Sequence, residues 1–264
     1  MVIIMTSESS ASVVLVHVRH DFSPLPEHRR PEQLYTMVSM ESPHWSQWWL
    51  LARLPNNYFN MSISYHTDST IYLPCDQLSE ITSQTPREQI WSDREIQMQI
   101  NKKQRLALQI VSHCDAPSGR DLITEQLQNL MELDVFGNCN SKSCDDACYQ
   151  RELESLSSTW HSRIRLVVPV VLNRSVLNGT GIPDNVYIAA DDFDCVQALA
   201  DFLTALLGDS ERYLGYFNWT KKYRRQWDNT KPSALCQLCQ IAHKQMQKDK
   251  DGIQTLSTFD QNKF

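Results

Sequence analysis

VPVVL (168–172), GIPDNVYIAADDF (181–193) and YFNWT (216–220), with an apolar helical run between the last two, decide the fold class of this chain. VPVVL is a short continuous apolar run, the composition of a strand covered on both faces in a parallel sheet. VYIAAD (186–191) reads as a second strand. Asp192 or Asp194 is placed to cap a helix in which Val196, Leu199, Phe202, Leu203, Leu206 and Leu207 recur at helical spacing, with Gly208 as its stop. Strand, loop, strand, capped helix and aromatic tail make half of an α/β protein, whose ligands sit beyond the carboxyl ends of the strands.

Upstream, RLALQIV (105–111) reads as a buried strand and LDVFG (133–137) as the strand that returns beside it. Between them, RDLITEQLQNLM (120–131) places Leu122, Ile123, Leu127, Leu130 and Met131 on one helical face, which closes a βαβ unit. A first half carries strand signals at VVLVHV (13–18), LYTMVSM (34–40) and FNMSISY (59–65). A short helix with its tryptophans toward the core is expected in HWSQWWLLARL (44–54). The polar stretch from Ser79 to Asn101 lacks clean periodicity and is read as a link. The expected division is a first α/β domain over 1–95, a second over 102–240 and a polar tail over 241–264, frayed beyond Asp249.

Composition bounds the function. A chain of 264 residues with 41% hydrophobic and 21% charged residues buries an ordinary core, so disorder is excluded. A net charge of −6 without a large basic cluster argues against nucleic acid as a partner. Only 7 glycines are present and no GxGxxG or Walker loop, so a nucleotide must be held by side chains and helix ends. The 8 cysteines form an even set, and Asn-X-Ser/Thr sequons stand at Asn60, Asn173, Asn178 and Asn218, which together favour a secretory route and disulfides. Zinc is the rival for Cys144-X3-Cys148 and Cys236-X2-Cys239, with His161 or His243 to complete a site. MVIIM at the start lacks the cationic flank of a signal peptide, and VVLVHV and LVVPVVL fall short of the roughly 20 residues of a membrane span. The chain therefore reads as an N-terminally truncated form of an anchored protein.

Four pieces in order carry a family resemblance: LPEHRRPEQLYTMVSMESP (25–43), FNMSISYHTDS (59–69), SHC (112–114) leading to LDVFGNC (133–139), and the block over 168–219. The chain resembles the α1,3-fucosyltransferases of glycosyltransferase family 10, nearest in phrasing to their invertebrate branch. The resemblance implies a GT-B-like fold, two Rossmann-like α/β domains facing a cleft, with the acceptor side in 1–95 and GDP-fucose bound by 102–240. It implies an inverting transfer of fucose from GDP-fucose to GlcNAc of glycoprotein N-glycans in α1,3 linkage. Family members are type II membrane proteins of the Golgi, often helped by manganese without requiring it. Asp191, Asp192 and Asp194 are the residues that could suggest a metal; helix capping is the plainer reading of that group, and no metal residue is assigned.

Carried over residue by residue, the glutamate of SMESP makes Glu41 the general base, against the alternative that it caps a helix beginning near His44. Tyr65, Asp68 and Ser69 match the family's FNWTMSYRxDSD and shape the cleft floor, while His66 replaces its Arg and Thr70 its second Asp. Arg120 stands at the spacing of a family arginine that meets the GDP phosphates, and His113 stands where the family often has Asn. Asn60 matches a family glycosylation position. Cys114, Cys139, Cys236 and Cys239 are the disulfide candidates, the last two as a short-range pair. Before VPVVL the family has a segment like FYLAFENSxxxDYVTEKFFxN, about 20 residues supplying a strand and a helix start that hold the donor. Neither AFENS nor TEK occurs in this sequence, which places an internal deletion near 156–163. The expectation is a family member that transfers fucose poorly; the alternative is a noncatalytic relative or truncated isoform that binds glycan or a partner.

Overall fold

The structure, a computed structural model, describes residues 2–3, 11–18, 30, 32–42, 46, 53–55, 58–74, 77–103, 105–139, 166–225 and 233–250. Most of the expected tryptophan helix over 44–54, Cys75, Cys144, Cys148, the deletion point near 156–163 and the tail beyond Lys250 lie outside the described residues. The chain divides into two compact units, Met1–Gln77 with Trp227–Phe264, and Leu78–Gln226.

The first unit holds a five-stranded sheet in the order β1 (Val2–Ile3), β2 (Val13–His17), β3 (Leu34–Ser39), β4 (Met61–Ser64), β5 (Ile71–Tyr72). β1 is antiparallel to β2, and β2 to β5 are all parallel to their neighbours. The apolar runs are explained by burial on both faces. Val14, Val16 and Val18 pack with Tyr35, Met37 and Phe59 on one side. On the other, Leu34, Met61, Ile63 and Ile71 pack against Leu238 and Ala242 of the long helix α5 (Ala234–Lys250). Each of these large side chains contributes about 1.5–3 kcal/mol when fully buried. Residues 241–250, part of the expected polar tail, thus continue a helix whose Leu238 and Ala242, four apart, line one apolar stripe.

In the second unit, β6 (Leu78–Glu80) pairs antiparallel with β11 (Tyr223–Arg225), and α1 (Asp93–Ile100) follows. The stretch expected to be a plain link is therefore structured. Ser92 and Glu95 form a reciprocal capping box that starts α1, and Ile96 is buried with Leu166 and Phe217. β7 (Ala107–Ile110) lies parallel to β8 (Leu133–Phe136) with α2 (Arg120–Leu130) between them, the expected βαβ unit. The buried face of α2 is narrower than expected. Ile123, Leu127 and Met131 join the core at intervals of four, whereas Leu122 and Leu130, one residue round the helix, are 65% and 41% exposed.

β9 (Val170–Val171) lies parallel to β10 (Ile188–Ala189), so the expected strands over 168–172 and 186–191 reduce to two paired residues each. α3 (Val196–Gly208) then runs to the expected stop and is followed by α4 (Ser210–Gly215). Its cap is Cys195, without a side-chain hydrogen bond, and neither Asp192 nor Asp194, because Ala190–Asp192 coils into a 3-10 turn first. Leu199, Leu203 and Leu206 are buried, while Leu207 is exposed on the outer side. Leu133, Val168 and Ile188 share one core with α2 and α3, yet among the described residues no strand joins β8 to β9. The result is a mixed α/β fold with parallel sheets.

Candidate functional site

Parallel pairing gathers the sequence-derived site residues of the first unit at one end of its sheet. Ser39 of β3 faces Ser64 of β4 in register. Glu41 follows two residues after Ser39, and Tyr65, Asp68 and Ser69 follow Ser64, so both groups stand beyond the carboxyl ends of neighbouring parallel strands. The backbone at Glu41 is fixed by two buried hydroxyls. Ser39 Oγ and Ser46 Oγ lie 2.8 Å apart, and each lies 3.3 Å from the Glu41 carbonyl oxygen as donor. Ser46 Oγ also lies 3.0 Å from the Ser42 carbonyl, an alternative acceptor for its one proton in the same turn.

The loop after β4 is folded back on its own strand. Ser64 Oγ and Ser69 Oγ lie 2.8 Å apart, and the His66 N–H donates to Ser64 Oγ at 3.1 Å. Thr70 and Ser62 exchange two bonds, each backbone N–H donating to the other's hydroxyl at 3.2 and 3.1 Å. Tyr65 and His66 stack at 4.6 Å between ring centres, and Asp68 projects to the surface. Thr70, where the family has a second Asp, is therefore a strand-end clasp.

The second unit places Arg120 and His113 beyond the carboxyl end of β7. Arg120 is the first residue of α2, and its guanidinium donates to the His113 carbonyl and to Asp121 Oδ1, the latter at 3.3 Å. Asp121 Oδ2 accepts from the Ala116 N–H at 3.0 Å, and that bond, with Arg120 beside it, holds its carboxyl below the usual range. A disulfide joins Cys114 to Cys139, tying the loop after β7 to the chain just beyond β8. Gly137 makes this approach possible: at φ +107, an added Cβ would lie 2.1 Å from the Val111 carbonyl oxygen. Cys236 and Cys239 are instead free and exposed, so the expected short-range pair is not formed. They stand on the outer turns of α5, whose buried stripe is carried by Leu238 and Ala242.

Burial separates the four sequons. Asn60 is 5% exposed and its Oδ1 accepts the Tyr35 N–H at 2.9 Å, bridging β4 to β3. This is a correction: a glycan on that nitrogen has no room in the folded sheet. Asn218 is exposed, but its partner Thr220 is 1% exposed, with Oγ1 donating to the Phe217 carbonyl at 2.7 Å. Asn173 and Asn178 are exposed.

One cluster escaped sequence reasoning. Arg174, just after β9, donates to both oxygens of Asp192, just after β10, and its own N–H donates to Asp191 Oδ1 at 2.9 Å. The same guanidinium donates to the Tyr187 hydroxyl at 3.2 Å and lies 5.0 Å from that ring's centre. The hydrogen bonds to Asp192 raise the guanidinium pKa further and hold that carboxyl below its usual range. An arginine soon after an apolar strand, with an Asp pair after the next strand, is the only sequence signal available. Of the acids considered for a metal, Asp191 and Asp192 serve Arg174, and among the described residues no group of three His, Cys, Asp or Glu could hold an ion. These residues do not fit a manganese site.

With this geometry in view, the comparisons with known proteins identify the class. "Fucosyltransferase, N-terminal" matches residues 4–76, and "Glycosyltransferase family 10 (fucosyltransferase) C-term" matches residues 100–159 and 157–259. The chain belongs to glycosyltransferase family 10, the fucosyltransferases. It is 27% identical to Alpha-(1,3)-fucosyltransferase C of Drosophila melanogaster, over 83% of this chain and 57% of that protein. It is 26% identical to Alpha-(1,3)-fucosyltransferase fut-1 of Caenorhabditis elegans, over 88% of this chain and 57% of that one. Identity to the human 4-galactosyl-N-acetylglucosaminide 3-alpha-L-fucosyltransferase FUT6 is 27%, over 92% of this chain and 70% of that one. The chain thus spans less than two thirds of the first two relatives. The C-terminal match comes in two pieces that meet at 157–159, within the stretch where the sequence reading places its deletion. Among the described residues no helix is long and apolar enough to cross a membrane.

Proposed function

We propose that this chain carries the machinery of an inverting α1,3-fucosyltransferase, taking fucose from GDP-fucose to a GlcNAc hydroxyl of glycoprotein N-glycans. The observation that carries this is Glu41, pinned by two buried serines beyond β3 and next in register to the loop over 65–69. The Glu41 carboxylate takes the proton of the acceptor hydroxyl as its oxygen bonds to the anomeric carbon and the bond from that carbon to the GDP oxygen breaks. Tyr65, Asp68 and Ser69 shape the acceptor side. Arg120, at the head of α2, supplies charge where the diphosphate leaves, with His113 beside it. The first unit, Met1–Gln77 with Trp227–Phe264, then forms the acceptor domain and Leu78–Gln226 the donor domain of a GT-B arrangement, in a Golgi protein.

The test is calorimetric titration of GDP-fucose into the folded 264-residue chain. Saturable binding that Arg120→Ala abolishes, with fucosyl transfer removed by Glu41→Gln, supports the reading. A folded chain without donor binding supports a second one, a noncatalytic relative that binds glycan. The lack of AFENS and TEK in the sequence favours that second reading, because the family's donor segment supplies both.

A further inference from the structure

The Arg174 cluster lines a cavity of about 480 Å³ within the second unit, and none of its lining belongs to the loop carrying His113 and Arg120. Its walls are Phe193, Phe202 and Tyr216, with Arg212, Asp184 and Asn185 at the opening. We propose that this cavity is a saccharide subsite that takes one neutral sugar ring of a glycan. The inference deepens the transferase reading and rests on it for the choice of a glycan over other polyols.

Three observations select that ligand. The first is charge. Arg174 is bound by both oxygens of Asp192 and also lies 4.0 Å from Asp184 Oδ1, which leaves Arg212 as the cation of the lining without a carboxylate partner among the described residues and Asp184, largely exposed, with acceptor capacity to spare. A phosphate needs an excess of positive charge, and here two arginines meet two aspartates. A neutral ring bearing hydroxyls suits the pair, since the carboxylate accepts and the guanidinium donates. The second is the shape of the aromatic wall. Phe193 and Phe202 stand at 62° to each other with centres 5.1 Å apart, so they form a corner for the apolar face of a sugar and no parallel slot for a flat base. Third, the polar groups are pre-placed. Arg212 lies over the Phe202 ring at 4.4 Å and pairs with no carboxylate among the described residues. Asp184 is 87% exposed, and its Oδ1 lies 3.2 Å from the Tyr187 hydroxyl, which donates to it. The Tyr216 phenol, raised above its ordinary pKa by burial, is a protonated hydrogen-bond donor at neutral pH as any tyrosine is.

The test titrates N-acetyllactosamine, and separately GDP, into the full chain and into Asp184→Ala and Arg212→Ala, followed by NMR shifts. Both side chains are exposed, and a thermal transition confirms that each variant folds. We expect each change to weaken N-acetyllactosamine binding at least about ten-fold while GDP binding stays the same. Disaccharide binding that is absent from the folded chain, or unchanged in both variants, overturns the proposal. So does joint loss of disaccharide and GDP, which would make the cavity a nucleotide pocket. If the chain never binds GDP but binds the disaccharide with this dependence, the subsite stands and the transferase reading fails.

Discussion

The two units support their site residues by different means. In the first, four parallel strands lie side by side without interruption, and Glu41 and the loop over 65–69 hang from the ends of its central strands through buried serine hydroxyls. In the second, the parallel strands among the described residues come as two pairs that share a core, and the loops beyond them are held by a disulfide, a charged cap and a bidentate arginine. A continuous sheet fixes strand ends by many weak bonds acting together; a two-stranded ribbon is marginal alone and needs specific ties. The sites in the second unit should therefore be the more fragile under single changes.

The strongest break of that contrast is Gly137→Ala. A Cβ forced against the Val111 carbonyl at 2.1 Å, on a backbone at φ +107, should cost about 3–4 kcal/mol. Hydrogen exchange should show protection lost across β7 and β8 and kept across β3; equal loss in both units would erase the distinction. Opening the Cys114–Cys139 bond by Cys139→Ser should follow at about 3 kcal/mol, from a sequence separation of 25. Denaturant melts of the variant should show an earlier transition for the second unit alone. Within the first unit, Asn60→Ala strands the buried Tyr35 N–H and should cost about 2 kcal/mol. Mass analysis of the secreted protein should find no glycan on Asn60 while Asn173 or Asn178 carries one.

The smallest effect is one of pH. Burial pulls the Lys103 amine down to about 8, although it donates to the Leu166 carbonyl and to Tyr213 Oη at 2.9 Å. Below pH 8 the amine is charged in both states, and the folded state carries the full cost of burying it. As pH rises from 8 toward 10, the folded chain sheds a proton that the unfolded chain keeps, so the second unit should gain stability, on the order of 1–2 kcal/mol. Above that window Tyr213, pushed up to about 12 by burial, works in the opposite direction. Thermal melts across this range should rise and then fall, and Lys103→Met should flatten the rise.

Much of the fold was legible because its elements carry local periodicity. The five longer strand stretches, the βαβ unit and the α3 helix stand where their apolar spacing places them. The capping box at Ser92 and Glu95 was equally local, yet it went unread because the residues around it are polar and a helix with a single buried residue shows almost no apolar stripe. Site residues carried over from the family stand where a parallel sheet should put them, beyond strand ends, since strand direction follows from the crossovers.

Other features have no local trace. Nothing in Asn60-Met-Ser distinguishes a buried bridge from an exposed sequon, and nothing in Leu122 or Leu130 shows that they face outward. By itself, the order of residues determined the five longer strand stretches, helices α2 and α3, the family and the absence of the AFENS and TEK stretches, because those depend on neighbours and on identity. Only the tertiary structure decided that Cys114 meets Cys139, that Arg174 grips Asp192, that α5 closes the first core and that a sugar-sized cavity opens above Tyr187. Each of these is a contact between residues far apart in the chain, and only packing brings such residues within reach of one another.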